Sequence, residues 1–305
     1  MSRIEKRKAA ETAHGGLAAG RATCLWQSLL TRMGAWNPAW ASMIDSAGIE
    51  HRIQRRSSGA RFSDAEIFEG LLLSVLSGNT RWSTIERIQS ELGDLFDGFN
   101  LRRFASILPE QIEKRILPWF LERKAGSTGL KRGLLRLQQT AVLLERYAAD
   151  HGGAEDYFRD AMTESGGQPE DLAVAIGSSP RWKLPGFGIA LAAEALRHIG
   201  FDVSKPDRHV LRCMGAWDLV AFTKWTERSD FTAPDASPSE LHRTMCAVKS
   251  IARANRLSTS YVNSVIWTAG ALSGARLTNT ELRAVAAGCQ TGAADLAPST
   301  ARPMT

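Results

Sequence analysis

The sequence predicts an all-α protein. Three observations carry this reading. Ser-x-x-Glu capping boxes stand at Ser63, Ser83 and Ser237, each before an apolar run. The apolar residues behind them recur at helical spacing, and period-two runs of β-branched and aromatic residues are nearly absent. A chain of 305 residues is long enough for one large or two small domains with a real core.

Taken in order, residues 1–20 are poor in apolar side chains and rich in Lys, Ala and Gly, which predicts a basic disordered tail. Residues 21–60 form a helical extension on the spacing of Leu25, Trp26, Leu29, Leu30, Trp36, Trp40 and Ile44. The main domain is expected over 61–275. It begins with the box Ser63 to Glu66, followed by Ile67, Phe68, Leu71, Leu72, Val75 and Leu76 on one helical face. The polar turn Ser77-Gly78-Asn79-Thr80 ends that helix, and the box Ser83 to Glu86 opens the next, with Ile85, Ile88 and Leu92 facing inward.

Helices follow at about Glu110 to Arg123 and at Leu130 to Asp150, the second with Leu134, Leu137, Ala141, Leu144 and Tyr147 on its inner face. Lys131, Arg132 and Arg136 lie at its exposed start, where they suit either phosphate contact or a solvated face. A further helix is expected at Asp156 to Ser165, then loop around a short turn from Gly166 to Ser179. Phe222 to Ala236 reads as loop, and the box at Ser237 with Pro238 at the first helical position opens a helix to about Arg253. The last strong helix spans Thr259 to Leu272, and residues 276–305 read as a partly disordered tail.

The composition, 44% hydrophobic and 23% charged, is that of a soluble globular chain. No run reaches the roughly 18 to 20 apolar residues of a membrane span, and no apolar core follows the basic start, so a cytoplasmic location is expected. Net charge is +6, of which +5 falls within Met1 to Ala60, with nine Lys or Arg against four Asp or Glu. That segment either adds salt-sensitive affinity for nucleic acid or serves as a solubilising tail. Cys24, Cys213, Cys246 and Cys289 lie far apart and fit no zinc or disulfide spacing, so free thiols are expected.

The stretch Arg181 to Arg212 organises the chain. Gly186 and Gly188 flank Phe187, as expected where a chain reverses with positive φ and lets its backbone approach a ligand before a helix opens. Asp207 stands two residues before His209, at an N-cap position that keeps a carboxylate ionised and aimed outward. Together, Leu184-Pro185-Gly186-Phe187-Gly188, the small residues Ala190, Ala192 and Ala193, and the Asp207-x-His209-Val210-x-Arg212 end resemble the helix-hairpin-helix DNA glycosylase superfamily. The resemblance covers about Ser63 to Leu272.

It implies a two-lobed helical fold that holds double-stranded DNA, extrudes one nucleotide and cleaves its N-glycosidic bond. Asp207 would be the catalytic carboxylate. The hairpin residues Pro185, Gly186, Phe187 and Gly188, with Lys183, Arg208 and His209, would contact the backbone. Asn79 either fills the gap left by the extruded base or sits in its turn for geometric reasons. Bifunctional relatives carry a Lys where this chain has Ala190, so the resemblance implies hydrolysis without strand cleavage.

Ala190 and Glu194, one turn apart, would border the base pocket with Asn263 and Trp267, and Trp82 and Trp182 are further stacking candidates. Trp267 otherwise belongs to the core, and Glu194 otherwise turns outward to pair with Arg197. No iron–sulfur cluster is expected, because the cysteines are not closely spaced. The hairpin is a candidate for a structural monovalent cation, and a monomer is expected. Within this resemblance the excised base is either a damaged one, as in repair, or a hypermodified one such as glucosylated cytosine in invading phage DNA. A module that only holds DNA is the third reading.

Overall fold

The computed structural model describes residues 17–44, 47–78, 80, 82–272, 274 and 276–289. The described chain is helical, without a β-strand; an isolated antiparallel bridge joins Lys224 to Asp235. In order come α1 (Ala19–Trp36), a 3-10 turn (Trp40–Met43), α2 (Ala47–Ser57), α3 (Asp64–Ser77), α4 (Trp82–Leu95) and α5 (Leu101–Ala105). After short turns at Pro109–Gln111 and Ile112–Ile116 follow α6 (Leu117–Glu122), α7 (Leu130–His151), α8 (Ala154–Ser165), α9 (Pro169–Ser178) and α10 (Ile189–His198). The chain ends with α11 (Arg208–Ala216), α12 (Pro238–Ala254), α13 (Thr259–Ala271) and α14 (Asn279–Ala287).

The chain divides into two compact units, each discontinuous in sequence. The hairpin unit comprises Asp45–Asp207 and Ser237–Met245, and the terminal unit Met1–Ile44, Arg208–Ala236 and Cys246–Thr305. In the hairpin unit α9 packs on α10, α10 on α3, and α3 on α7. Ile67, Phe68, Leu71, Leu134, Leu137 and Leu144 are among the fully buried side chains that close this core. In the terminal unit α11 packs on α13 and α14, and α14 on α1, around Leu25, Leu29, Val210, Met214, Trp217 and Val265.

The boxes act as the sequence predicts at two of their sites. At α3 the Glu66 carboxylate accepts from Ser63 N at 2.9 Å while Glu66 N donates to Ser63 Oγ, satisfying two of the donors a helix start leaves open. At α12 the same exchange joins Ser237 and Glu240. The expected box at Ser83 differs: α4 already begins at Trp82, which places Ser83 inside the helix.

Other expectations are corrected. Gly166 to Ser179 is not loop, because α9 runs through it from Pro169, with Pro at a first-turn position and Glu170 and Asp171 at its positive end. The helix expected over Glu110 to Arg123 is present without a break from Pro109 to Glu122, but it is not uniform. Pro118 brings no N–H to the carbonyl one turn back, and the preceding turn, Ile112–Ile116, is wound as π-helix. Part of the expected tail is also helical: Thr278 and Glu281 form a capping box at the head of α14, and Leu282 and Val285 behind it are buried.

The expectation of four free thiols is overturned. Cys24 on α1 and Cys289, just beyond α14, form a disulfide with Cα atoms 5.6 Å apart, leaving Cys213 and Cys246 as thiols. Spacing along the chain could not indicate this pair, which is 265 residues apart and brought together by the packing of α14 on α1. Among the described residues no helix is long and apolar enough to cross a membrane.

Candidate functional site

The hairpin is built from close helix contact. Ala173, Ala175 and Gly177 on α9 and Ala192 and Ala193 on α10 are buried small residues. A Cβ at Gly177 would lie 2.5 Å from both N and Cα of Ile189, so only glycine permits this approach. Between the helices Leu184 N donates to Ile176 O at 3.0 Å and Phe187 N to Leu184 O at 3.1 Å, while Leu184 and Phe187 drive into the core as anchors.

Gly186 has φ +84°, as the sequence predicts for a reversal, and a Cβ there would lie 2.5 Å from Cβ of Arg136. Gly188 is a correction. Its φ is −90°, an extended N-cap conformation that any residue adopts, and a Cβ there would meet nothing. It leads into α10 without a side-chain cap, so the first N–H groups of that helix are not bonded by the N-cap residue.

Lys183 sits inside the turn rather than reaching away from it. Its ammonium donates to Gly177 O at 2.6 Å and to Phe187 O at 3.1 Å, tying the last turn of α9 to the residue before Gly188. The ammonium thus brings a positive charge to both carbonyls. The Pro185 carbonyl accepts from Thr140 Oγ1 of α7 at 2.9 Å, which fixes the turn from the other side.

Further along α10, Ala190 is half-buried and Glu194, one turn on, is 7% exposed. Glu194 neither lines a pocket as an unpartnered acceptor nor turns outward. Its carboxylate accepts from Arg197 Nη1 at 2.8 Å and stands 3.6 Å from His198 Nε2 and 3.7 Å from Lys205 Nζ. Burial pushes its pKa up, but the Lys205, Arg197 and His198 charges outweigh this and hold the carboxyl well below the usual carboxylate range. Trp82 belongs to the same group, stacked on the His198 ring at 5.8 Å between centroids and 22° between planes. Trp182 is buried against Tyr147 and Tyr157, with Nε1 donating to Glu164, which makes it a core ring.

Asp207 is half-buried and immediately precedes α11, the N-cap position expected for it. The next residue belongs to the terminal unit. There Arg208 is exposed and donates from Nε to Nε2 of the buried His209 at 3.1 Å. The His209 ring meets Trp267 of α13 edge-on, 6.2 Å between centroids, and Gly270 makes room for it, since a Cβ there would lie 2.9 Å from His209 Cβ. Trp267 is half-buried, and Asn263, four residues earlier on α13, is 2% exposed.

Arg212 has a structural task. It is buried, with Nε donating to Asn279 Oδ1 at 2.7 Å and Nη2 to Leu277 O at 2.6 Å, so it anchors the entry to α14. Asn79 lies outside the described residues. His198 and Lys205, the partners of Glu194, were missed in the sequence; the i,i+4 spacing of Glu194 and His198 was the available signal.

No protein-family model, curated protein or solved structure matches this chain.

Proposed function

We propose that this protein is a monofunctional DNA glycosylase that extrudes a damaged or modified base from duplex DNA and hydrolyses its N-glycosidic bond. The observation that carries the reading is the combination of the Leu184–Gly188 hairpin with Asp207 at the head of α11. The hairpin presents a tight turn and an N-terminal helix end without a side-chain cap, which is suited to a backbone phosphate.

A base within the duplex hides its glycosidic bond, so the nucleotide must leave the stack at a cost of a few kcal/mol, offset by contacts to the backbone and to the extruded base. Cleavage develops positive charge on the sugar. A carboxylate beside C1′ stabilises that charge and orients the attacking water, and Asp207 is the group assigned to this role. Ala190 offers no amine, so water rather than a protein nucleophile attacks C1′ and the strand is left intact. Trp267, only half-buried beside His209, is the ring assigned to the extruded base, with Asn263 on the same helix face.

The test is incubation with duplexes carrying alkylated, oxidised, deaminated or glucosylated bases, followed by alkali. Strand breaks that need alkali, with no borohydride-trapped covalent complex, are expected on at least one substrate. Duplex binding without abasic sites on any substrate would replace the enzyme by a module that only holds DNA.

A further inference from the structure

The expected phosphate contact of the hairpin, Lys183, has its ammonium on two main-chain carbonyls. A hairpin that grips a phosphodiester backbone then draws cationic side chains from a neighbour, and α7 is the element beside the turn. Arg136 fills the space a Gly186 side chain would need, and Thr140, one turn on, bonds to Pro185. One turn before Arg136, Gly133 lies against Val75 in the last turn of α3, with 2.9 Å left for a Cβ. The first half of α7 thus runs from the end of α3 to the turn of the hairpin.

Arg132 and Arg136 stand four apart on the exposed face of this stretch. Arg136 Nη1 donates to the uncharged amide of Gln139 at 3.0 Å, and neither arginine has an acidic partner within ion-pair distance among the described residues. Nearby cations differ: Lys131 pairs with Glu113 at 2.9 Å and Arg102 with Glu145 at 3.3 Å.

We infer that Arg132 and Arg136 form a second phosphate-binding strip, continuous with the hairpin turn, for the backbone of duplex DNA. The inference rests on the reading of the hairpin as a DNA-binding element. Along one strand a phosphate recurs every ~3.4 Å of helix axis, and side chains on successive helical turns start ~5 to 6 Å apart, so two flexible guanidinium groups reach neighbouring phosphates of one strand. The planar fork of Arg binds phosphate oxygens in pairs, which favours it over Lys for this contact.

The test compares binding of undamaged duplex by the wild-type protein, Arg132→Gln, Arg136→Gln and the double variant between 50 and 200 mM salt, at the range where counterion release is readily resolved. Each neutralised phosphate contributes about 0.9 to the slope of log affinity against log salt, so each single variant should lose about 0.9 and the double variant about 1.8. The double variant Arg132→Lys with Arg136→Lys keeps both charges and should retain the wild-type slope. Arg102→Gln, which removes a charge already paired with Glu145, should leave the slope unchanged. Equal slopes and affinities for wild type and the Gln double variant would overturn the strip while leaving the hairpin reading intact. A wild-type protein that fails to bind duplex at any salt would overturn both.

Discussion

Glu194 and Arg197 form an ion pair at 2.8 Å on one buried turn of α10, closed by His198 and Lys205. Removing the carboxylate leaves three basic groups facing one another without a counter-charge, a configuration that costs more than the pair itself contributes. Glu194→Gln should therefore lower unfolding stability by about 3 kcal/mol, and loosen the His198 ring under Trp82. The pH dependence has a definite sign. The carboxyl titrates lower in the folded state than its ordinary value of 4.5, so its stabilisation is complete above that value and is lost as pH falls below it toward the folded value. Urea unfolding from neutral to acid pH should show the wild type losing stability more steeply than the variant. Parallel curves would mean that the pair contributes nothing.

Asp207→Asn keeps the size of the side chain at the head of α11 but removes its charge. Base release should fall by at least ~100-fold, the scale of losing one electrostatic contact to the transition state, while duplex affinity is retained or rises. Single-turnover release of the base under enzyme excess measures the first, and filter binding the second. Near-normal release would transfer the chemistry to another residue.

Lys183→Met separates a structural ammonium from a phosphate contact. Loss of the two carbonyl bonds at Gly177 and Phe187 should cost about 1 kcal/mol and lower Tm by a few degrees. The slope of DNA affinity with salt should stay as in the wild type, because no phosphate charge is released or gained. A slope shallower by about 0.9 would show instead that the ammonium leaves the turn to neutralise a phosphate.

The second half of the hairpin was legible because its signals are local: Leu-Pro-Gly-Phe-Gly in sequence, then a run of small and apolar residues. The first helix, α9, was not. Its start signals, Pro169 with Glu170 and Asp171 in the first turn, were present, but the helix is short and bracketed by Gly166-Gly167 and Ser178-Ser179-Pro180, which read as loop. The contact that seats it, Gly177 on Ile189 of α10, is tertiary, and no window along the chain contains it. Glu194 shows the same limit at the site. Its spacing from Ala190 suggests a shared helix face, but burial beside Lys205, which belongs to the segment after α10, is a tertiary fact. The α14 box was present at Thr278 and Glu281, hidden by Gly- and Ala-rich neighbours.

The Cys24–Cys289 disulfide links α1 to the residue after α14, closing a loop of nearly the whole chain, and such a link stabilises mainly by restricting the unfolded chain, typically by about 2 to 4 kcal/mol. Reduction is not expected to release α14, whose Glu281 pairs with Arg32, whose Arg283 pairs with Glu227 and whose Asn279 holds Arg212. Thiol counting decides whether the bond exists in the purified protein. Cys213 is buried, and burial raises its thiol pKa well above the ordinary value, so it should resist a thiolate-specific reagent in the folded state. Cys246, partly exposed, should react. The native protein is then expected to titrate one thiol, the denatured protein two, and the denatured and reduced protein four, the full cysteine content. Four thiols on denaturation without reductant would remove the disulfide, and with it the expected fall of several degrees in Tm on adding a dithiol reductant.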